Sequence, residues 1–288
     1  ENKEKLAVVM FEAGQLPEEM LKKNFRTAKA YLDLSYQKNS RSTTLEYMNR
    51  AFEIDSVYAS RNIRRTKYAE ALLEAGEYEH AIEQFTKEIQ QDTAARVRIL
   101  NFTVPLFENR AKAFLAMGDT IAAINDLRIV SQKFNAGNWG EAGLLARKIN
   151  EDSLATDLFN SGLEAYERQI AWNDENNQIN YGYQLSKLEL LIIAEEFKRA
   201  KDYHSKLFQE GVNPLRNEVL LEYFDLILKA ISKDLSKIDI QQFTQKISDE
   251  EIKITGWSYD LFQSWLYQTE LPAEIVSKME DLTIILKD

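Results

Sequence analysis

Apolar residues along this chain recur mainly three and four positions apart, which is the spacing of one face of an α-helix. The clearest stretch runs from Tyr68 to Phe85. A first helical stripe carries the small residue Ala69 and then Leu72. Gly76 ends it, since glycine tolerates the left-handed conformation at a helix C-terminus. Tyr78 opens a second stripe with Ala81, Ile82, Phe85 and Ile89 on one face. Ala69 and Ala81 have almost no side chain, so two antiparallel helices can approach closely there.

The pattern returns along the chain. Ala111, Phe114, Gly118, Ala123, Ile124 and Leu127 keep the same offsets, with Thr120 in place of the aromatic. Weaker copies read Gly143, Ala146, Asn150, Ala155 and Phe159, then Leu188, Leu191, Glu195, Phe197 and Ala200. Residues 25–54 form a degenerate copy, with Ala28, Tyr31 and Ala51 in register. The intervals are irregular: 42 residues from Gly76 to Gly118, 32 to Asn150 and 45 to Glu195. Extra turns are therefore expected at 92–104 and 172–180.

Punctuation agrees with helices. The expected first-turn prolines are Pro17, Pro105, Pro214 and Pro272, where a missing N–H costs nothing. Capping boxes are expected at Thr43–Glu46 and Ser248–Glu251. Beyond residue 213 the repeat spacing is lost. Helices are expected at 215–231, 238–247, 257–267 and 273–286, with 252–257 as a loop. The expected organisation is helical repeats over 1–212 and a helical cap over 213–288, hiding the last apolar face. About twelve to fifteen helices and no sheet are expected.

The small–large–Gly–aromatic–Ala–aromatic order from Ala69 to Phe85 resembles the tetratricopeptide repeat, and the likeness extends over about residues 25–210. It departs from that family in its spacing, whose norm is ~34 residues, and in having Thr93 where a proline often stands. The resemblance implies an all-α solenoid of antiparallel helix pairs. It also implies a concave groove, lined by the first helices, that takes a peptide or a partner helix. The groove residues it implies are Thr66, Glu70, Leu73 and Glu74, then Glu108, Asn109, Lys112 and Leu115. Leu144 and Arg147 follow, and then Leu185, Glu189 and Ile192. A subset of the family grips the carboxylate tail of chaperones with Lys and Asn on the first helix. Thr66 and Glu70 occupy those positions here and only Asn109 fits, so that role is not expected.

Composition narrows the chemistry. There is no cysteine, so disulfides, thiolate metal sites and cysteine nucleophiles are excluded. The 10 glycines and 4 prolines are too few for a turn-rich β fold. A net charge of −10 argues against a duplex nucleic-acid binder, which needs a basic face; the one basic patch is Arg61, Arg64, Arg65 and Lys67. Phosphate-cradling glycine motifs are absent. The two histidines, His80 and His204, do not form a ligand set, although His80 with Glu83 would make half of one. His204 falls at a packing position. Glu195–Glu196 and Glu250–Glu251 are sequence neighbours that diverge on a helix and make poor acid–base pairs. Asn101-Phe-Thr103 is a glycosylation sequon. No apolar run approaches the ~20 residues of a membrane span. Cytosol, periplasm and cell surface fit equally. The chain starts at Glu1, which is expected of a processed or partial chain. A signal or lipid anchor would then lie out of view.

The expectation is a non-catalytic protein- or peptide-binding scaffold with no metal, no cofactor and no nucleic-acid partner. A sensor or regulatory domain of a longer signalling protein is the first alternative, marked by continuation beyond Asp288. An enzyme on a helical-repeat scaffold is the second, marked by a pocket gathering acids, His and Tyr from distant repeats.

Overall fold

The computed structural model describes residues 2–15, 23–37, 41–94, 100–134, 137–176, 180–212, 215–249, 259–269 and 271–287. Sixteen helices and no strand occur among them. The count lies one above the expected range of about twelve to fifteen. The chain divides into two compact units, Glu1–Asp126 and Leu127–Asp288.

The first unit holds α1 (Asn2–Glu12), α2 (Phe25–Ser35), α3 (Arg41–Ile54), α4 (Ser56–Asn62), α5 (Arg65–Glu74), α6 (Tyr78–Ala94), α7 (Leu100–Ala116) and the start of α8 (Thr120–Phe134). Consecutive helices pack as pairs: α1 on α2, α2 on α3, α5 on α6, and α6 on α7. The small residues sit where the spacing puts them. Ala28, Ala51, Ala69, Ala81 and Ala123 are fully buried, and Ala111 nearly so. Phe85 is buried as well. A polar brace ties this unit together. The Arg110 guanidinium donates to both Asp126 carboxylate oxygens at 2.7 and 2.8 Å and to Thr86 Oγ1 at 2.9 Å. This is the bidentate geometry that makes Arg–carboxylate bonds strong. It links α6, α7 and α8 with both charges largely out of water.

The second unit continues α8 and adds α9 (Trp139–Lys148), α10 (Asp152–Glu175), α11 (Tyr181–Ile193), α12 (Phe197–Glu210), α13 (Leu215–Ile231), α14 (Lys237–Asp249), α15 (Asp260–Leu266) and α16 (Ala273–Lys287). Here α9 packs on α10, α10 on α11, α11 on α12, and α13 on both α11 and α12. Gly143 lets α9 and α10 touch: a Cβ there would lie 2.3 Å from the Phe159 ring.

One turn closes these helices again and again. Gly14, Gly76, Gly118, Asn150, Glu195 and Lys233 all have φ between 62° and 81°. At Gly76 the amide donates to Leu73 O and that of Glu77 to Leu72 O. The same two bonds, spanning four and six residues, recur after Gly118, Asn150, Glu195 and Lys233. This is the Schellman closure, which satisfies carbonyls the helix would otherwise strand. The four positions expected from sequence to end first helices, Gly76, Gly118, Asn150 and Glu195, share this conformation.

Local expectations need three corrections. Pro105 lies inside α7, where the helix continues past it with one N–H fewer. Thr43 lies within α3 rather than ahead of it, and Thr44 instead bonds Ser35 O. Ser248 stands in the last turn of α14. The box that starts α14 is Ser236 with Asp239, whose side chains and amides bond reciprocally. Those Ser236 bonds, with Lys229 beside them, push the Asp239 carboxyl down to about 2. The extra turns expected at 92–104 and 172–180 fall largely within lengthened helices. α6 reaches Ala94, α7 begins at Leu100, and α10 runs 24 residues to Glu175. Pro272 directly precedes α16, whereas Pro17, Pro214 and the 252–257 loop lie outside the described residues.

Two outcomes follow from the packing. Ala81→Leu overfills the crossing of α5 and α6, and should lower unfolding free energy by about 1–3 kcal/mol in urea melts. Lys233→Gly should raise it by up to about 1 kcal/mol, because a side chain in the left-handed region costs energy that glycine avoids. Lys233→Ala, which keeps a Cβ there, should show no gain.

Candidate functional site

In the first unit, α5 touches both α3 and α7. The eight residues expected to line a groove here fall on α5 and α7. Thr66, Glu70 and Leu73 are half-buried and Glu74 is exposed. Glu108, Asn109 and Leu115 are half-buried and Lys112 is exposed. The structure therefore brings these eight onto two touching helices. Leu73 and Leu115 offer apolar surface, flanked by carboxylates and one ammonium. Glu70 is held by Lys67 at 2.7 Å. Arg110, next to Asn109, turns instead into the brace with Asp126.

The corresponding residues of the second unit meet a different fate. Leu185 and Ile192 are completely buried, Leu144 is 3% exposed and Glu189 is 7% exposed. α11 is surrounded by α9, α10, α12, α13 and α15, and α15 packs on α9 as well. Its Leu261 fills the space over Gly140, where a Cβ would approach within 2.7 Å. Phe262, Trp265 and Leu266 of the same helix are buried, and Phe262 lies 5.8 Å from Tyr223 of α13. Leu144, Leu185, Glu189 and Ile192 are thus interior residues, not groove lining. Arg147 is half-buried but committed. It bonds Glu195 at 2.8 Å and Ile193 O at 3.2 Å, and lies 5.0 Å over the Phe159 ring. It fastens α9 to the left-handed turn ending α11.

Glu189 shapes the electrostatics of this interior. Burial is the main cause that pushes up the hydroxyls of Tyr166, Tyr223 and Tyr259, and the Glu189 charge adds to it in all three. Tyr166 is raised to about 12. Tyr223 meets Thr283 Oγ1 at 2.7 Å. These phenols stay protonated at neutral pH and serve packing.

Sequence reading missed the burial of α11, although a signal was present. Leu188 and Leu190–Ile193 form a run with no polar face except Glu189. A helix apolar all round is surrounded, and α11 has α9, α10, α12, α13 and α15 about it.

The remaining candidates resolve simply. His80 is exposed and its Nδ1 lies 3.1 Å from Glu77, while Glu83 pairs with Lys87. His204 Nε2 meets Leu221 O at 3.1 Å, a packing contact of α12 on α13. In the basic patch, Arg64 stacks on Tyr36, Arg65 faces Glu88 and Lys67 holds Glu70. Thr103 of the sequon is buried. Glu195 and Glu196 are exposed; Glu250 and Glu251 lie outside the described residues. Among the described residues there is no group of three His, Asp or Glu that could hold a metal ion. None of the described helices is long and apolar enough to cross a membrane.

No protein-family model and no curated protein matches the chain. Solved structures do match. A tetratricopeptide repeat protein from Parabacteroides merdae is 13% identical, with 88% of this chain and 99% of that one covered at a TM-score of 0.40. A structure of pilF from Pseudomonas aeruginosa is 15% identical, with 84% and 97% covered at a TM-score of 0.39. The chain's own helix pairs, with alanines at their crossings and left-handed closures at a repeated register, make its fold tetratricopeptide-like.

Proposed function

We propose that the chain is a non-catalytic scaffold that binds a protein or peptide on the α5–α7 face of its first unit. The observation that carries this is the gathering of Thr66, Glu70, Leu73, Glu74, Glu108, Asn109, Lys112 and Leu115 on two touching helices. Leu73 and Leu115 remain only half-buried there. Their apolar surface supplies affinity, and the charges around it supply selection. Of the equivalent side chains of the second unit, Leu144, Leu185, Glu189 and Ile192 are interior and Arg147 is engaged with Glu195.

On the same reading, residues 213–288 cap the repeats. What supports this is that α13 packs on both α11 and α12. It buries Val219, Leu220, Tyr223, Phe224, Leu226 and Ile227. Each such side chain contributes roughly 1.5–3 kcal/mol on burial, so removing the segment strands a large apolar face.

The triple variant Leu73→Glu, Lys112→Glu and Leu115→Glu should lose a partner captured by the parent protein from cell extract, with circular dichroism and Tm close to the parent. Retention of every captured protein by a folded triple variant would move the site off this face. Unfolding of the variant would place Leu73 and Leu115 in the core. For the cap, truncation after Gly211 should give aggregation or loss of a cooperative melt. A monomeric truncation product that melts as sharply as the parent would make residues 213–288 an independent module.

A further inference from the structure

A second recess lies in the second unit, away from the buried first-helix face. It is a cavity of about 550 Å³ between α12 and α13, within the size range of small-ligand sites. His204 and Phe208 line it from α12, and Glu218, Leu221, Glu222 and Asp225 from α13. Glu218, Glu222 and Asp225 follow each other by four and three residues, so they form one stripe of α13 facing the recess. None of its described lining residues is Lys or Arg.

Phe208 is the unusual member. It is 70% exposed, the highest among the large exposed apolar residues described. The core does not explain it, since α12 buries Ala200 and Leu207. Its ring is nevertheless held in place, stacked on His204 with 6.4 Å between centroids and 17° between planes. His204 is itself fixed: Nε2 lies 3.1 Å from Leu221 O. A carbonyl only accepts, so Nε2 carries the proton. The carboxylates opposite are anchored from outside the recess. Lys246 holds Glu222 at 2.5 Å, and Lys229 holds Asp225 at 3.0 Å while also bonding Asp239. A carboxylate has about four acceptor positions, so each keeps capacity for a second donor.

We propose that this recess binds an arginine side chain presented by a partner peptide. A guanidinium suits both walls at once. Its face stacks on the exposed phenyl ring, and its edge donates to carboxylates in pairs. An apolar side chain would take Glu218, Glu222 and Asp225 out of water with nothing to donate to them. A lysine ammonium would satisfy the charge but has no planar face to lay on Phe208. The volume exceeds that of one side chain, leaving room for the peptide residues beside the arginine. This site is independent of the α5–α7 face, so either can fail alone.

The test is a titration of the full chain by nuclear magnetic resonance with the blocked tripeptide Gly-Arg-Gly, and with the same peptide carrying citrulline, which keeps the shape and loses the charge. Saturable shifts should be confined to residues 204–212 and 218–225, with the citrulline peptide weaker by about tenfold or more. Phe208→Ala and Glu218→Gln change exposed or half-exposed positions and should each weaken the arginine peptide about threefold or more at unchanged Tm. Added salt should weaken it as well. Equal binding of the two peptides, shifts elsewhere, absence of saturation, or unaltered affinity in both variants would overturn the proposal.

Discussion

A left-handed residue after α1, α5, α7, α9, α11 and α13 sets the geometry on which the packing depends. A helix leaves its last carbonyls without partners. To reverse direction in two or three residues and still satisfy them, the chain must place one residue at positive φ and make two short bonds backward. The closure fixes how the second helix leaves the first. That in turn fixes which side chains meet at the crossing, and only small ones fit there. Glycine adopts this φ without penalty at 14, 76 and 118; Asn150, Glu195 and Lys233 adopt it with a Cβ present. Glu195 is the informative case, because Arg147 bonds both its carboxylate and the neighbouring Ile193 carbonyl. That turn is held by a contact from the preceding repeat.

Charge follows a similar division. Many of the ion pairs join residues three or four apart on an exposed helix, as in Lys67–Glu70 and Lys87–Glu83. Such pairs contribute little individually. Arg110–Asp126 differs in kind. Both oxygens of the carboxylate are used, Thr86 takes a third guanidinium donor, and Phe107 and Phe114 lie within 5.8 Å of the cation. A buried pair of this sort is weak proof of net stability, but it fixes register, because either charge left alone in that interior would cost several kcal/mol.

The repeats were legible because the constraints that define them act over short sequence distances. Ala69, Gly76, Ala81 and Phe85 lie within seventeen residues, and their spacing alone predicts the turn and the crossing. Helix ends were less legible. Pro105 and Thr43 have the chemistry of a helix start, yet α7 and α3 begin five and two residues ahead of them. Long-range coverage was not legible at all from repeat offsets. Those offsets assigned Leu144, Leu185, Glu189 and Ile192 to an open face because equivalent positions in the preceding repeats are open. What overrides them is coverage by helices further along the chain, α13 and α15 among them, whose docking leaves no local mark on α11 beyond the Leu190–Ile193 run.

Two glycines show how far that coverage is built into the second unit. A Cβ at Gly140 would collide with Leu261, and one at Gly162 would collide with Trp139 and Leu190, each at 2.7 Å. Neither glycine has a positive φ, so backbone freedom is not the reason for it. The reason is the close approach of neighbouring side chains. Phe262 and Trp265 of α15 then meet at 5.1 Å, and Phe262 reaches both Tyr223 and Phe224 of α13. A contact that removes side chains on one helix and supplies aromatics on two others is a permanent part of a core. Its apolar area is worth far more in the folded state than an exposed ligand site of the same extent could return on binding, since binding must also offset lost translational and side-chain freedom. The first-helix face of this unit is therefore an interior by construction, and any recognition by this unit would have to use helix surfaces that α15 leaves uncovered, such as the α12–α13 recess.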